Sequence, residues 1–281
     1  MTLHTRRILR IELTVADLPR AERFYVDGLG FAVAHRGEVD AAMAALLSAD
    51  RVTTVELHRG GQTLVLQAFD PTGACYPADA ASSDQVFQHF AIPVVDMDAS
   101  LARLQPAKPL PISNGPQHLP AHSGGAIAFK FRDPDGHPLE FIQFPDGHDD
   151  GVDHSAIVVT DAERSIAFYR DYLGFDAASS QINSGQEQDR LDGLSGVAVA
   201  VVALTLPQPI PHLELLSYQS PPIRTTRRLR PGDVAATRLV LEVDNLPADA
   251  IQLSDGRRVL LIHDPDEHAL LLISPTTASK A

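Results

Sequence analysis

Tryptophan is absent from this 281-residue chain, and cysteine occurs once. The lone Cys75 excludes an internal disulfide framework and suits a reducing compartment. No activating partner stands near it in the sequence, so it reads as inert. Positive charge is also scarce: 23 Lys and Arg face 36 Asp and Glu, a net −13 that argues against nucleic acid and acidic membrane surfaces as partners. No apolar run approaches the ~20 residues of a membrane span. Arg6-Arg7 is not followed by the uninterrupted apolar stretch of a secretion signal. The expected location is therefore the cytoplasm. Phosphate-cradling glycine motifs, His-Glu-x-x-His and Gly-x-Ser-x-Gly are missing, which disfavours nucleotide hydrolysis, zincin and serine-hydrolase chemistry. What is present is an ordinary globular composition, 44% hydrophobic and 21% charged. The length suits about two domains.

The chain repeats itself, and repeats constrain a fold before anything else does. Asp17, Phe24, Tyr25, Leu29, Gly30 and Phe31 recur as Asp161, Phe168, Tyr169, Leu173, Gly174 and Phe175, at a constant offset of 144 residues. Each copy predicts an alternating strand, an N-capping aspartate, a short helix and a glycine that stops it. A second pair of segments is built similarly. Strand 87–95, cap Asp96, helix 97–104, a proline-rich loop and strands 126–132 and 138–144 form one. Strand 237–243, Asp244, a short helix and strands 258–263 and 269–274 form the other. The turns Asp133-Pro134-Asp135 and Asp264-Pro265-Asp266 mark these two. The sum is an α+β chain of four βαβββ modules, at about 8–70, 85–145, 151–218 and 233–275. They divide into a first pair within 1–145 and a second within 151–281. Segments 71–84 and 219–232 read as linkers. Pro93 implies an edge or a bulge in its strand.

Four such units, the Phe-Tyr…Leu-Gly-Phe helix ends and the Asp-Pro-Asp-Gly-x-x-x-Glu turn resemble the vicinal oxygen chelate superfamily. That family includes glyoxalase I, methylmalonyl-CoA epimerase, extradiol dioxygenases and bleomycin- or fosfomycin-resistance proteins. The resemblance implies two cup-shaped half-barrels and up to two metal ligands per module, a histidine on the first strand and a glutamate on the last. Counting back seven residues from each capping aspartate gives His89 and His154 in modules two and three, but Arg10 and Thr237 in modules one and four. The last-strand positions hold Glu140 and Glu214 in modules two and three, but Val65 and Leu271 in the others. Alternation puts His89 and His154 opposite the apolar faces of their strands. If modules two and three share a cup, His89, Glu140, His154 and Glu214 meet in one site. Exchange between the chains of a homodimer would assemble the same four. Two imidazoles and two carboxylates suit Zn, Ni, Co, Mn or Fe.

The resemblance implies a glyoxalase I-like isomerase, epimerase or lyase acting on a small oxygenated metabolite. The metal would serve as Lewis acid and hold an enediolate, with Glu140 or Glu214 as base. An alternative is an Fe(II) extradiol dioxygenase using His89, His154 and Glu140. Residues 122 to 140 resemble that signature from His122 onward, with Lys130 where its tyrosine belongs. A binding or resistance protein is the third reading, disfavoured by an aromatic content of 6%. His137 and His268 read as turn residues. Arg10, sharing a face with Glu12 and Thr14, reads as half of an internal ion pair, with anion binding as the alternative. The loops 114–125, with His118 and His122, and 183–193 are candidates to sit over a cup.

Overall fold

A computed structural model describes residues 2–226 and 228–275. Its strands make two sheets, and the order of pairing decides what each cup contains. Thr5–Thr14, the first strand of module one, runs antiparallel to Thr237–Val243 of module four, in an eight-stranded sheet. Gln88–Pro93 of module two runs antiparallel to His154–Val158 of module three, in a ten-stranded sheet. In both sheets the last strand of each module lies parallel beside its own first strand. Outer modules therefore share one sheet, and inner modules share the other.

Alternation gives each central strand two faces. Ile11, Leu13, Phe90, Ile92, Ile157, Leu139, Phe141, Leu213, Leu215, Leu239 and Leu241 point to one common core, into which Phe24, Tyr25, Tyr169 and Phe175 from the helical segments also pack. The opposite faces are the concave ones.

The repeated sequence motifs hold this arrangement together. Asp17 and Asp161 accept from the N–H of Arg20 and Arg164, capping helices Leu18–Arg23 and Ala162–Ala167. Both helices widen into a π-helical turn, Phe24–Gly28 and Phe168–Tyr172. Each chain reversal then closes on a glycine at positive φ, Gly30 at 76° and Gly174 at 78°. The wide turn delivers Tyr25 and Tyr169 to the Asp-Pro-Asp turns of the following modules. Their hydroxyls donate to Asp133 and Asp264 at 3.0 Å in both cases. The other oxygen of each aspartate accepts two backbone N–H groups of its own turn. His137 and His268 close the clamp, their rings 2.8 Å from the carbonyls of Thr14 and Val158. Polar clamps thus tie module one to two and three to four, while the sheets tie one to four and two to three.

Three expectations need correction. Pro93 lies neither at an edge nor in a bulge: it ends a central strand, past the last residue paired with His154–Val158. Its missing N–H therefore interrupts no ladder bond on that side. Module four has no helix after Asp244, since Pro247 biases Leu246 away from helical geometry and only a short turn follows. Asp244 instead pairs with Arg6 at 2.6 Å. The segment 183–193 is not a plain loop, because helix Gln186–Asp192 fills most of it. No helix among the described residues is long and apolar enough to cross a membrane.

Candidate metal centre

The ladder between Gln88–Pro93 and His154–Val158 pairs His154 with Ala91 and Ala156 with His89. Both imidazoles consequently rise from the concave face, with ring centroids 5.8 Å apart. Glu140 stands beside Ala91 on the parallel neighbour of one strand, and Glu214 beside Ala156 on the parallel neighbour of the other. All four line one cavity of about 110 Å³.

His89, Glu140 and His154 each offer a ligand atom within 4.8 Å of the others, and all three are buried. His89 Nε2 lies 3.0 Å from Glu140 Oε2. Even so, neither nitrogen of His89 has a hydrogen-bond partner among the described residues. A buried polar atom left in this state is costly, and a cation between the two side chains would satisfy it. Burial and the ammonium of Lys130 lower the pKa of His89, keeping it in the neutral form a metal needs. Glu140 stays below the usual carboxylate range: burial opposes this, but His89 and Lys130 outweigh it.

His154 is held from behind. Its Nδ1–H donates to Asp153 at 2.8 Å, which turns Nε2 into the cavity. Such a carboxylate behind a ligand imidazole fixes its tautomer and orientation. Burial pulls the pKa of His154 down, yet Glu214 and Asp153 raise it to about 9. Glu214 is half-buried and differs from the other three, because it is shared. Its Oε2 lies 3.7 Å from His154 Nε2, while Oε1 lies 3.5 Å from His212 Nε2. Burial pushes its carboxyl up, but His154 and His212 bring it down to about 2. The structure thus gathers three of the expected ligands closely, with Glu214 alongside.

Asp153 and His212 had no place in the sequence reading, although each had a local signal. Asp153 directly precedes His154, and His212 lies two residues before Glu214, on the same strand face. A third omission, Asp192, has no such signal. It binds Lys130 Nζ at 2.7 Å across 62 positions of sequence. Segments 114–125 and 183–193 do reach the cavity, through Leu119, Ser123, Asn183, Gln188 and Leu191. Ser123 donates to Asn183 at 2.9 Å, joining the two. The side chain of His122 lies outside the described residues.

In the outer-module sheet, Arg10 pairs with Val240 and Glu12 with Arg238, in the pattern His154–Ala91 and Ala156–His89. The position matching His89 is therefore Arg238, not Thr237. The count of seven fails because Asp244 caps no helix.

A model of the Glyoxalase/Bleomycin resistance protein/Dioxygenase superfamily matches residues 7–141 and 151–245. Glyoxalase I from Zea mays superposes with a TM-score of 0.65 at 18% identity, covering 96% of this chain and 92% of that one. A putative dioxygenase from Bacillus subtilis subsp. subtilis str. 168 gives 0.62 at 11%, covering 98% and 87%. Identities this low show a shared fold. No curated protein matches.

Proposed function

The chain belongs to the Glyoxalase/Bleomycin resistance protein/Dioxygenase superfamily, and from that premise we propose that it is a metal-dependent isomerase, epimerase or lyase. Its substrate would be a small oxygenated metabolite, and a cytoplasmic setting suits the single unpaired Cys75. The observation that carries the reading is the convergence of His89, Glu140 and His154 in one buried cup, with Glu214 on the same wall. Those residues would hold a divalent ion of the Zn, Ni, Co, Mn or Fe group, to which histidine and carboxylate ligands are suited. Bound there, the ion would supply the electrophile for two adjacent substrate oxygens.

The remaining work falls to the protein. Glu214 is half-buried and lines the cavity beside His154, so it would act as base on a carbon next to the substrate carbonyl. Asp153 would hold the His154 ring in one orientation throughout. Because every one of these side chains comes from one chain, the site would need no partner subunit.

Proton exchange tests this directly. Metal-loaded protein should wash the α-proton of 2-hydroxyketones or 2-oxoaldehyde hemithioacetals into D2O, as followed by proton NMR. Glu214→Ala should keep its metal and lose the exchange; near-normal turnover in that variant would contradict the assignment.

One observation favours a second reading. The three closest ligands are two histidines and one carboxylate, the face used by non-haem Fe(II) oxygenases. Lys130 in place of the signature tyrosine weighs against it. Oxygen uptake with catechols after anaerobic iron reconstitution would decide between the two.

A further inference from the structure

The cup wall carries a charged group that neither ligation nor the base role uses. Lys130 is 4% exposed, stands directly across from Glu140 on the adjacent strand, and lines the same cavity. Its ammonium has three donors. One goes to Asp192 Oδ1 at 2.7 Å, and no second acceptor is found among the described residues. Asp192 is itself fully engaged: its Oδ2 accepts from Gln188 at 2.8 Å and Tyr218 at 2.9 Å. Three donors therefore divide one carboxylate, and the lysine is anchored without being saturated. Burial works against its charge, but Asp192 and Glu140 outweigh that and keep it protonated. A buried ammonium with unmet donors beside a cavity is costly unless a ligand completes it.

We propose that Lys130 is the specificity-determining residue of this cup, taking an anionic oxygen that the substrate carries beside its chelating oxygen pair. The preferred substrates are then small 2-oxo or 2-hydroxy acids, whose carboxylate gives one oxygen to the chelate and the other to Lys130. This rests on the metal-dependent reading above and narrows its substrate class. It also accounts for the lysine at the position where a phenol-cleaving enzyme would have tyrosine.

Two chelating probes separate the possibilities. Oxalate has a free carboxylate oxygen beyond its chelating pair, whereas acetohydroxamate has a methyl group there. Each is titrated calorimetrically into metal-loaded wild type, Lys130→Met and Lys130→Met/Asp192→Asn, with metal content measured on every sample. The double variant avoids stranding a buried carboxylate should the single one fold poorly. Loss of charged hydrogen bonding should weaken oxalate at least about tenfold in the variants, with acetohydroxamate changed less than about twofold. Equal weakening of both probes, or of neither, would overturn the proposal. If wild type took up no metal, the metal reading would fail by itself. Oxalate titrated into metal-free protein would then have to weaken on Lys130→Met, or this proposal would fail too.

Discussion

The two cups of this chain are built on one plan and filled in opposite ways. Each has a short helix just before the last two strands of one module, Ala41–Leu46 in module one and Gln186–Asp192 in module three. In the outer cup Met43 and Leu47 form an apolar cluster with Val240, Leu271, Phe69 and Val259 on the concave face, beside a cavity lined by Thr237 and Arg238. In the inner cup the helix contributes Gln188, Leu191 and Asp192 to a cavity wall. The position of His89 is taken by Arg238, which is fully buried and bonded to Gln67 at 2.6 Å, Thr14 at 3.1 Å and Pro231 at 2.9 Å. Glu12 takes its charge at 3.4 Å and that of Arg10 at 2.8 Å. The charged cluster satisfies itself, so its side chains need no ligand to complete them. In the inner cup, among the described residues, His89 has no well-formed hydrogen bond, only the close approach of Glu140, and Lys130 is partly met. Unmet polar groups facing the cavity, more than charged residues as such, distinguish the inner cup.

The comparison can be broken from either side. The largest effect is expected from Arg238→Met, which breaks a fully buried ion pair, leaves the buried acceptors Gln67 and Pro231 without their donor, and should cost ~3–5 kcal/mol in urea denaturation. Metal bound per folded chain should not change. Leu47→Ala should remove ~2–5 kcal/mol by opening a hole in the apolar plug, again without touching metal content. In the inner cup, Asp153→Asn should weaken metal binding by about 10–100-fold, because His154 loses its orienting partner. Stability of that variant should move far less than that of Arg238→Met, and competition with a chromogenic chelator would measure the affinity. The smallest effect concerns pH. Arg10 and Arg238 hold the carboxyl of Glu12 below its ordinary 4.5, although burial pushes the other way. Its contribution to stability is therefore complete above about pH 4.5 and is lost as pH falls through the lower folded-state value. Urea midpoints between pH 6 and pH 3 should fall less steeply for Glu12→Gln than for wild type.

Much of this was legible in the sequence because the determinants are local. Phe24-Tyr25 and Asp133-Pro134-Asp135, with their copies, announce a repeat, and the clamps show why the motifs occur together: Tyr25 needs Asp133 as an acceptor. Strand alternation was enough to put His89 and His154 opposite the apolar faces of their strands. What was not legible depended on distance or on a missing element. The seven-residue ruler assumed a helix after Asp244 and so selected Thr237 over Arg238. The plug of Met43 and Leu47 arises from a six-residue helix too short to announce itself. The contact between Lys130 and Asp192 joins two modules, and no local pattern encodes it.

The central claim is that one of the two cups holds a metal. Plasma mass spectrometry on protein purified without chelator measures it most directly, with His89→Ala and Arg238→Met prepared in parallel. The account predicts about one equivalent per chain in wild type and in folded Arg238→Met, and almost none in His89→Ala. Two equivalents in wild type, or an undiminished equivalent in His89→Ala, would contradict it.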